Sequence, residues 1–276
     1  MNDAPRTPWL TVHQASAPLL LCMPHTGTDI PAALEAQLAS AWLARKDTDW
    51  WIDRLYGFAR DLGASVVRTG LSRTVIDANR DPSGAPLYPG HASTELCPTT
   101  TFDGEPLYRE RAPSSEEIAA RRREYFEPYH HALEQQIVRL RTRHRAIVLY
   151  DCHSIRSAIP RLFAGTLPHL NLGTFGGASC APALTARIES LCDGTEFSRV
   201  TNGRFKGGYT TRHYGRPRDG VHAVQMELAC RAYQREPAGE VHEGNWPCAW
   251  DEGYAAPLRA VLERVLAACI AFASQA

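Results

Sequence analysis

The chain has 276 residues, 44% of them hydrophobic, with 30 basic and 30 acidic side chains and a pI near 7.2. That hydrophobic content supports a substantial core and sets disorder aside, while a net charge of zero argues against a phosphate-backbone partner. No stretch approaches the roughly 18 uninterrupted apolar residues of a membrane span, and residues 1–12 lack a basic segment followed by an apolar one. The expectation is a cytoplasmic protein with neither a membrane nor a nucleic-acid partner.

In chain order, residues 19–24 read as a strand and 31–44 as a helix with Trp42 on its apolar face. Asp47 or Thr48 caps a second helix running to about Leu62. Residues 64–68 are strand-like, and 74–76 form a shorter strand. From 79 to about 113 the chain is rich in Pro, Gly, Ser and Thr. A loop of that length inside a compact domain is usually functional or mobile. Ser114-Ser115-Glu116-Glu117 opens a helix with a capping box. Behind it Phe126, Tyr129, Leu133, Ile137 and Leu140 recur at helical spacing, and Pro128 is expected to kink or divide the helix.

A strand is expected at 146–150, a loop with one short strand at 160–177, and a helix at 181–192. Residues 203–220, dense in Gly, Arg and Tyr, suit a binding loop. A third strand-like run begins at Val221, and Leu258, Val261, Leu262, Val265, Leu266 and Cys269 mark a C-terminal amphipathic helix. Strands alternating with helices imply an α/β fold, a single domain with a mixed, largely parallel central sheet flanked by helices. None of the eight cysteines forms a Cys-x-x-Cys pair, so they read as reduced and mostly structural. Strand alternation turns Cys152 away from its neighbours.

Three apolar runs each deliver one hard polar side chain: His25 after the first, His153 after the second and Glu227 after the third. In open α/β sheets the ligand site lies beyond the carboxyl ends of the strands, so these residues are expected to converge. Asp151 shares a face with His153 and is placed to orient its imidazole. Asp47, Asp49 and Asp53 crowd one helix start, where acidic residues are also favoured by the helix dipole. Asp49 or Asp53 would complete a two-histidine, one-carboxylate set that leaves a position open for water. Glu227 among apolar neighbours is expensive to bury unpaired and reads as an acid/base.

Arg73 and Arg80 bracket a strand-like segment, and Asn79-Arg80 offers an amide beside a guanidinium fork suited to a carboxylate. Arg204, Arg212 and Arg216 accompany Tyr209 and Tyr214 in the Gly-rich segment, which suggests a substrate with more than one carboxylate. Against this stands a strong bias: arginine outnumbers lysine 28 to 2. No Walker A, dinucleotide fingerprint or Gly-x-Ser-x-Gly elbow is present.

Seven segments occur in order: Pro24-His25-Thr26-Gly27, Asp47-Thr48-Asp49-Trp50, 72–80, Tyr88-Pro89-Gly90, 202–209, Thr211-Arg212-His213-Tyr214-Gly215 and Gln225-Met226-Glu227-Leu228. The last is followed by Arg231-Ala232-Tyr233. This set resembles the N-formylglutamate amidohydrolases, also called N-formylglutamate deformylases, from about Leu19 to about Tyr254. The resemblance implies one such domain over 1–276, similar in fold to the zinc carboxypeptidases and aspartoacylases (phosphorylase/hydrolase-like). It implies a zinc-dependent hydrolase of a linear amide, cleaving N-formyl-L-glutamate to formate and L-glutamate in histidine degradation.

In that picture one zinc per chain sits on His25, Asp49 and His153, with Asp53 the competing ligand, because Thr28 stands where the carboxypeptidases place a glutamate. Glu227 is the base, Arg73 steadies the oxyanion, and Asn79, Arg80, Arg212 and Tyr209 bind the substrate. Two other readings are an amidohydrolase for another N-acyl acidic amino acid and a non-catalytic binding protein for acidic amino acids.

Overall fold

The computed structural model describes residues 9–85 and 94–275, so the Tyr88-Pro89-Gly90 segment lies outside the described residues. Seven strands form one sheet: β1 (Leu10–His13), β2 (Leu19–Met23), β3 (Ser65–Thr69), β4 (Ile147–Ile155), β5 (Leu170–Gly173), β6 (Arg199–Thr201) and β7 (Val221–Ala229). Their spatial order is β1-β3-β2-β4-β7-β5-β6. The central strands β3, β2, β4 and β7 are parallel. β1 runs antiparallel to β3, and β5 runs antiparallel to β7 with β6 parallel beside it. The helices are α1 (Ala32–Glu35), α2 (Ile52–Leu55), α3 (Ser115–Arg121), α4 (Glu127–Arg141), α5 (Pro182–Asp193), α6 (Tyr209–Tyr214) and α7 (Glu252–Ser274).

β2, β4 and β7 are buried along their whole length because helices cover both faces of the sheet, which is why they read as continuous apolar runs. Leu19, Leu21, Val148, Tyr150, Val224 and Met226 pack on α5 and α7. Leu20, Cys22, Ile147, Leu149 and Ala223 face α4 through Tyr129, Leu133 and Leu140. Continuing the two-residue alternation, Asp151 and His153 of β4 and Gln225 and Glu227 of β7 extend that second face toward the strands' carboxyl ends. Cys152 lies on the opposite face, in the core with Met226, and all eight cysteines are free.

Several expected elements are shorter or absent. The helix expected at 31–44 is reduced to α1 and one 3-10 turn, Leu43–Arg45. Between them, residues 37–39 spend their backbone groups on the long loop: Ala39 N–H donates to Leu107 O, and Gln37 O accepts from Arg109 N–H. The helix expected from 47 to 62 is broken into α2 and a 3-10 turn, Gly57–Arg60. Asp49 N–H is drawn to His25 O, and Trp51 takes a positive φ of 65°, which interrupts any helix. Where a strand was expected at 74–76 there is none; residues 73–75 form a turn. Ser72 and Thr74 hydroxyls both donate to Ala44 O, and Asp77 N–H reaches Leu96 O.

β4 runs five residues past the expected end at 150, because β7 pairs with it from Ile147 to Ile155. Residues 203–220 contain α6 as well as loop. α3 carries the expected reciprocal cap between Ser114 and Glu117. Pro128 does not divide the helix: a π-helical turn, Arg122–Phe126, joins α3 to α4 just before it, which accommodates the proline's missing donor and ring. No described helix is long and apolar enough to cross a membrane.

Candidate metal centre and substrate pocket

The end of β2 turns sharply at Pro24, and His25 O accepts the backbone N–H of Asp49 at 3.0 Å, which brings the two residues side by side. Two residues on, a Cβ at Gly27 would lie 2.1 Å from the Gly70 carbonyl carbon, so only glycine lets the two strand exits approach this closely. β4 supplies Asp151 and His153 from the adjacent strand. His153 stands in register with Glu227 of β7.

His25, Asp49 and His153 each offer one ligand atom, and these atoms lie within 4.8 Å of one another. Asp49 Oδ2 is 3.1 Å from His153 Nδ1 and 3.6 Å from His25 Nδ1. The outer nitrogen of His25, Nε2, donates to Asp77 Oδ1 at 2.7 Å, so its Nδ1 faces the cluster as a lone pair. His153 Nε2 lies 3.0 Å from Asp151 Oδ1, without hydrogen-bond alignment, and 2.9 Å from Asn79 Nδ2. Two nitrogens and a carboxylate, backed by outer carboxylates, form the donor set of a metal site with room for further ligands.

His25 Nδ1 and Asp49 Oδ1 are buried without a hydrogen-bond partner. Such orphans are costly, and a cation between them removes the cost, so these residues suit a metal. Electrostatics point the same way. Burial would push the His153 imidazole down, but Asp151 and Asp49 outweigh it and favour the protonated form well above the usual range. Burial would raise the Asp49 carboxyl, yet the hydrogen bond to His153 and the nearby His25 hold it below its ordinary value. Acidic surroundings that favour a proton here favour any cation.

Asp77 is fully buried, and Arg73 Nη2 donates to its Oδ2 at 2.6 Å. Burial alone would raise this carboxyl; the nearby charges of Arg80, His25 and Arg73 hold it well below the carboxylate range instead. Arg73 also places its guanidinium 4.7 Å from the Phe102 ring centroid and 3.7 Å from Asp49 Oδ1. Asn79 ties the centre to the Gly-rich segment: its Oδ1 accepts from Thr210 N–H at 2.8 Å, and its Nδ2 donates to Asp151 Oδ2 at 3.2 Å.

His25 and His153 open onto a pocket that is also lined by Arg73, Asn79, Arg80, Gln225 and Glu227. Phe102, Ile155, Leu162 and Phe205 supply its apolar wall, and Arg204 a further cation. Burial pushes the Glu227 carboxyl up to about 7, against the pull of His153. Near neutral pH such a group can both take and release a proton.

Three of the expected site residues lie elsewhere. Asp53, on α2, is 38% exposed and pairs with Arg68 at 2.7 Å, so among the two candidate carboxylates only Asp49 reaches the histidines. Arg212 and Tyr209, on α6, are not among the lining residues. Arg212 donates from Nε to Gly207 O and its guanidinium lies 4.9 Å from the Phe175 ring centroid. Tyr209 stacks on His213 and packs against Phe126 and His130. The third pocket arginine, beside Arg73 and Arg80, is Arg204, from the same Gly-rich segment in which the resemblance pointed to Arg212. Gln225 was missed, although its spacing of two from Glu227 on a strand was a legible sign that they share a face. Ile155 of the apolar wall closes β4, while Phe102, Leu162 and Phe205 come from loops with no periodic signal.

A family model described as N-formylglutamate amidohydrolase matches residues 17–234. The chain is 46% identical over 268 residues to an N-formylglutamate deformylase of Pseudomonas putida, covering 96% of this chain and 97% of that one. It is likewise 46% identical over 265 residues to an N-formylglutamate deformylase of Pseudomonas aeruginosa, covering 95% and 96%. In structure it is similar to an N-formylglutamate amidohydrolase from Ralstonia eutropha JMP134, with a TM-score of 0.77, 24% identity and coverage of 96% and 97%. An Agrobacterium tumefaciens gene product shares the fold at a TM-score of 0.70 and 17% identity, covering 95% of each chain. These relatives remove the reading of a non-catalytic binding protein. With the matched segment and the near-complete overlap, the chain belongs to the N-formylglutamate amidohydrolase family and is an enzyme, an amidohydrolase.

Proposed function

We propose that the protein, as one domain over residues 1–276, hydrolyses N-formyl-L-glutamate to formate and L-glutamate, a terminal step of histidine degradation, with one zinc ion on His25, Asp49 and His153. The observation that carries this reading is a buried carboxyl, Glu227, opening onto the same pocket as the two histidines and three arginines, Arg73, Arg80 and Arg204. His25, Asp49 and His153 would hold a divalent ion, which would supply Lewis acidity toward the formyl carbonyl and toward water near neutral pH.

The remaining work belongs to the chain. Glu227 takes the attacking water's proton as the new C–O bond forms at the formyl carbon. It then delivers that proton to the amine nitrogen as the C–N bond breaks, releasing formate and glutamate. Arg73, buried beside Asp49 and Asp77, directs positive charge toward the developing oxyanion. Asn79 and Arg80 hold a substrate carboxylate, and the wall of Phe102, Ile155, Leu162 and Phe205 excludes bulk water.

Metal analysis of protein purified without added metal, with assays on N-formyl, N-acetyl and N-succinyl amino acids, tests this. About one zinc per chain and preference for N-formyl-L-glutamate are expected. Glu227→Gln should keep its zinc and KM while kcat falls by about 10²–10⁴. Full metal occupancy in both His25→Ala and His153→Ala would remove the proposed site. Faster turnover of the N-acetyl or N-succinyl compounds would move the substrate assignment to a longer acyl chain.

A further inference from the structure

Gln225 and Glu227 are two residues apart on β7, share one face, and are 3% and 7% exposed. The Gln225 amide has an acceptor end and a donor end, and its surroundings settle which way it points. Its Oε1 accepts the backbone N–H of Gly208 at 2.6 Å. A backbone N–H can only donate, so the NH2 group is turned the other way, where Nε2 donates to Glu227 Oε2 at 2.9 Å. Gly208 is itself immobilised: a Cβ there would lie 2.3 Å from Asn79 Nδ2, and the next two residues' N–H groups donate to the Asn79 carbonyl and side-chain oxygens. The Gly-rich segment is thus clamped between Asn79 and Gln225.

We infer that Gln225 is a positioning residue for the proton-transfer step, an amide locked in one polarity by Gly208 so that it donates to Glu227 and aims that carboxylate into the pocket. This rests on the reading of Glu227 as the base. With Oε2 engaged, Oε1 is the oxygen left to receive a proton from water in the pocket. Free rotation of the carboxylate would spread that oxygen over several orientations, and small misplacements of a catalytic group cost up to about 10²-fold in rate. Apolar replacement would also leave the Gly208 N–H without its acceptor.

Two substitutions separate aiming from mere loop anchoring. Gln225→Glu keeps an acceptor for Gly208 but takes away the amide donor to Glu227; Gln225→Leu removes both links. Each is made alone and in the Glu227→Gln background, with steady-state kinetics on N-formyl-L-glutamate, zinc content and thermal unfolding measured throughout. Both single variants should lose about tenfold or more in kcat with KM within about threefold. In the Glu227→Gln background either change should cost less than about twofold, because the group it aims has already lost its basicity. Should Gln225→Leu fail to fold, Gln225→Glu alone decides. Wild-type kcat in Gln225→Glu, or an equal loss in both backgrounds, overturns the inference while leaving the base assignment intact. If Glu227→Gln by itself keeps more than about a tenth of kcat, the base assignment falls first and the inference with it.

Discussion

His25 and Asp77 are 52 residues apart, and the 2.7 Å hydrogen bond between Nε2 and Oδ1 sets which imidazole nitrogen faces Asp49 and His153. Asp77 in turn is gripped by Arg73 and accepts the Asn79 backbone N–H at 2.9 Å. One carboxylate therefore ties the metal-facing histidine to the segment that carries Asn79 and Arg80.

Weakening that tie should weaken metal binding without removing a ligand. Asp77→Asn is expected to lower zinc affinity by about 10–100-fold, the usual cost of losing an outer partner of a metal-bound histidine. Competition with a chromophoric chelator measures it. Unchanged affinity would mean that His25 is oriented by something else.

Asp49 and Asp53 give opposite expectations. Asp49→Asn should empty the site, since Asp49 touches both histidines. Asp53→Asn breaks only a partly exposed ion pair with Arg68, worth about 0–1 kcal/mol, and should leave zinc content unchanged. Metal loss in the second variant and retention in the first would reverse the assignment.

Arg80 is held by Thr94 through Nε and Nη2 while lining the pocket. Lysine keeps the charge but cannot reproduce that fork, so Arg80→Lys should reduce kcat/KM by about tenfold or more. Arg212→Lys, on α6 and outside the lining, should change it by less than about threefold. Equal damage from both would contradict the pocket described here.

His130 offers a test of stability against pH. Its Nε2 donates to Ala78 O at 2.8 Å, next to the Asp77 and Asn79 pair, and Nδ1 accepts from the Tyr214 hydroxyl at 3.0 Å. Burial pushes its pKa down to about 4, against about 6.5 for an unfolded histidine. Between those values the unfolded chain binds more protons, so the contribution is present above about pH 6.5 and is lost as pH falls toward 4. At full development the shift corresponds to about 3 kcal/mol. Denaturant midpoints of wild type and His130→Gln should therefore converge on acidification, and a difference independent of pH between 7 and 4.5 would count against this account.

The strands and their polar ends were legible because burial on both faces leaves a continuous apolar run, and a two-residue alternation then places Asp151 with His153. The same alternation correctly sent Cys152 to the opposite core. The helices at 31–44 and 47–62 were misread because helical periodicity cannot register competition from distant backbone. Leu107, Arg109 and His25 take the hydrogen bonds that those helices needed.

That three side chains on or just beyond a strand, His25, His153 and Glu227, line one pocket was thus legible from local pattern alone, since a hard polar group closing an apolar strand has few places to go other than the crevice at the sheet's carboxyl edge. Asp49 over Asp53, Arg204 rather than Arg212 in the pocket, and the Gln225 link to Gly208 were decided only by the tertiary structure. Each depends on the direction of a side chain from a broken helix, a loop or a residue with two possible amide orientations. Those directions are set by partners such as His25 O, Gly207 O and Gly208 N–H. Sequence spacing carries no record of them, because a hydrogen bond between distant segments leaves no periodicity behind.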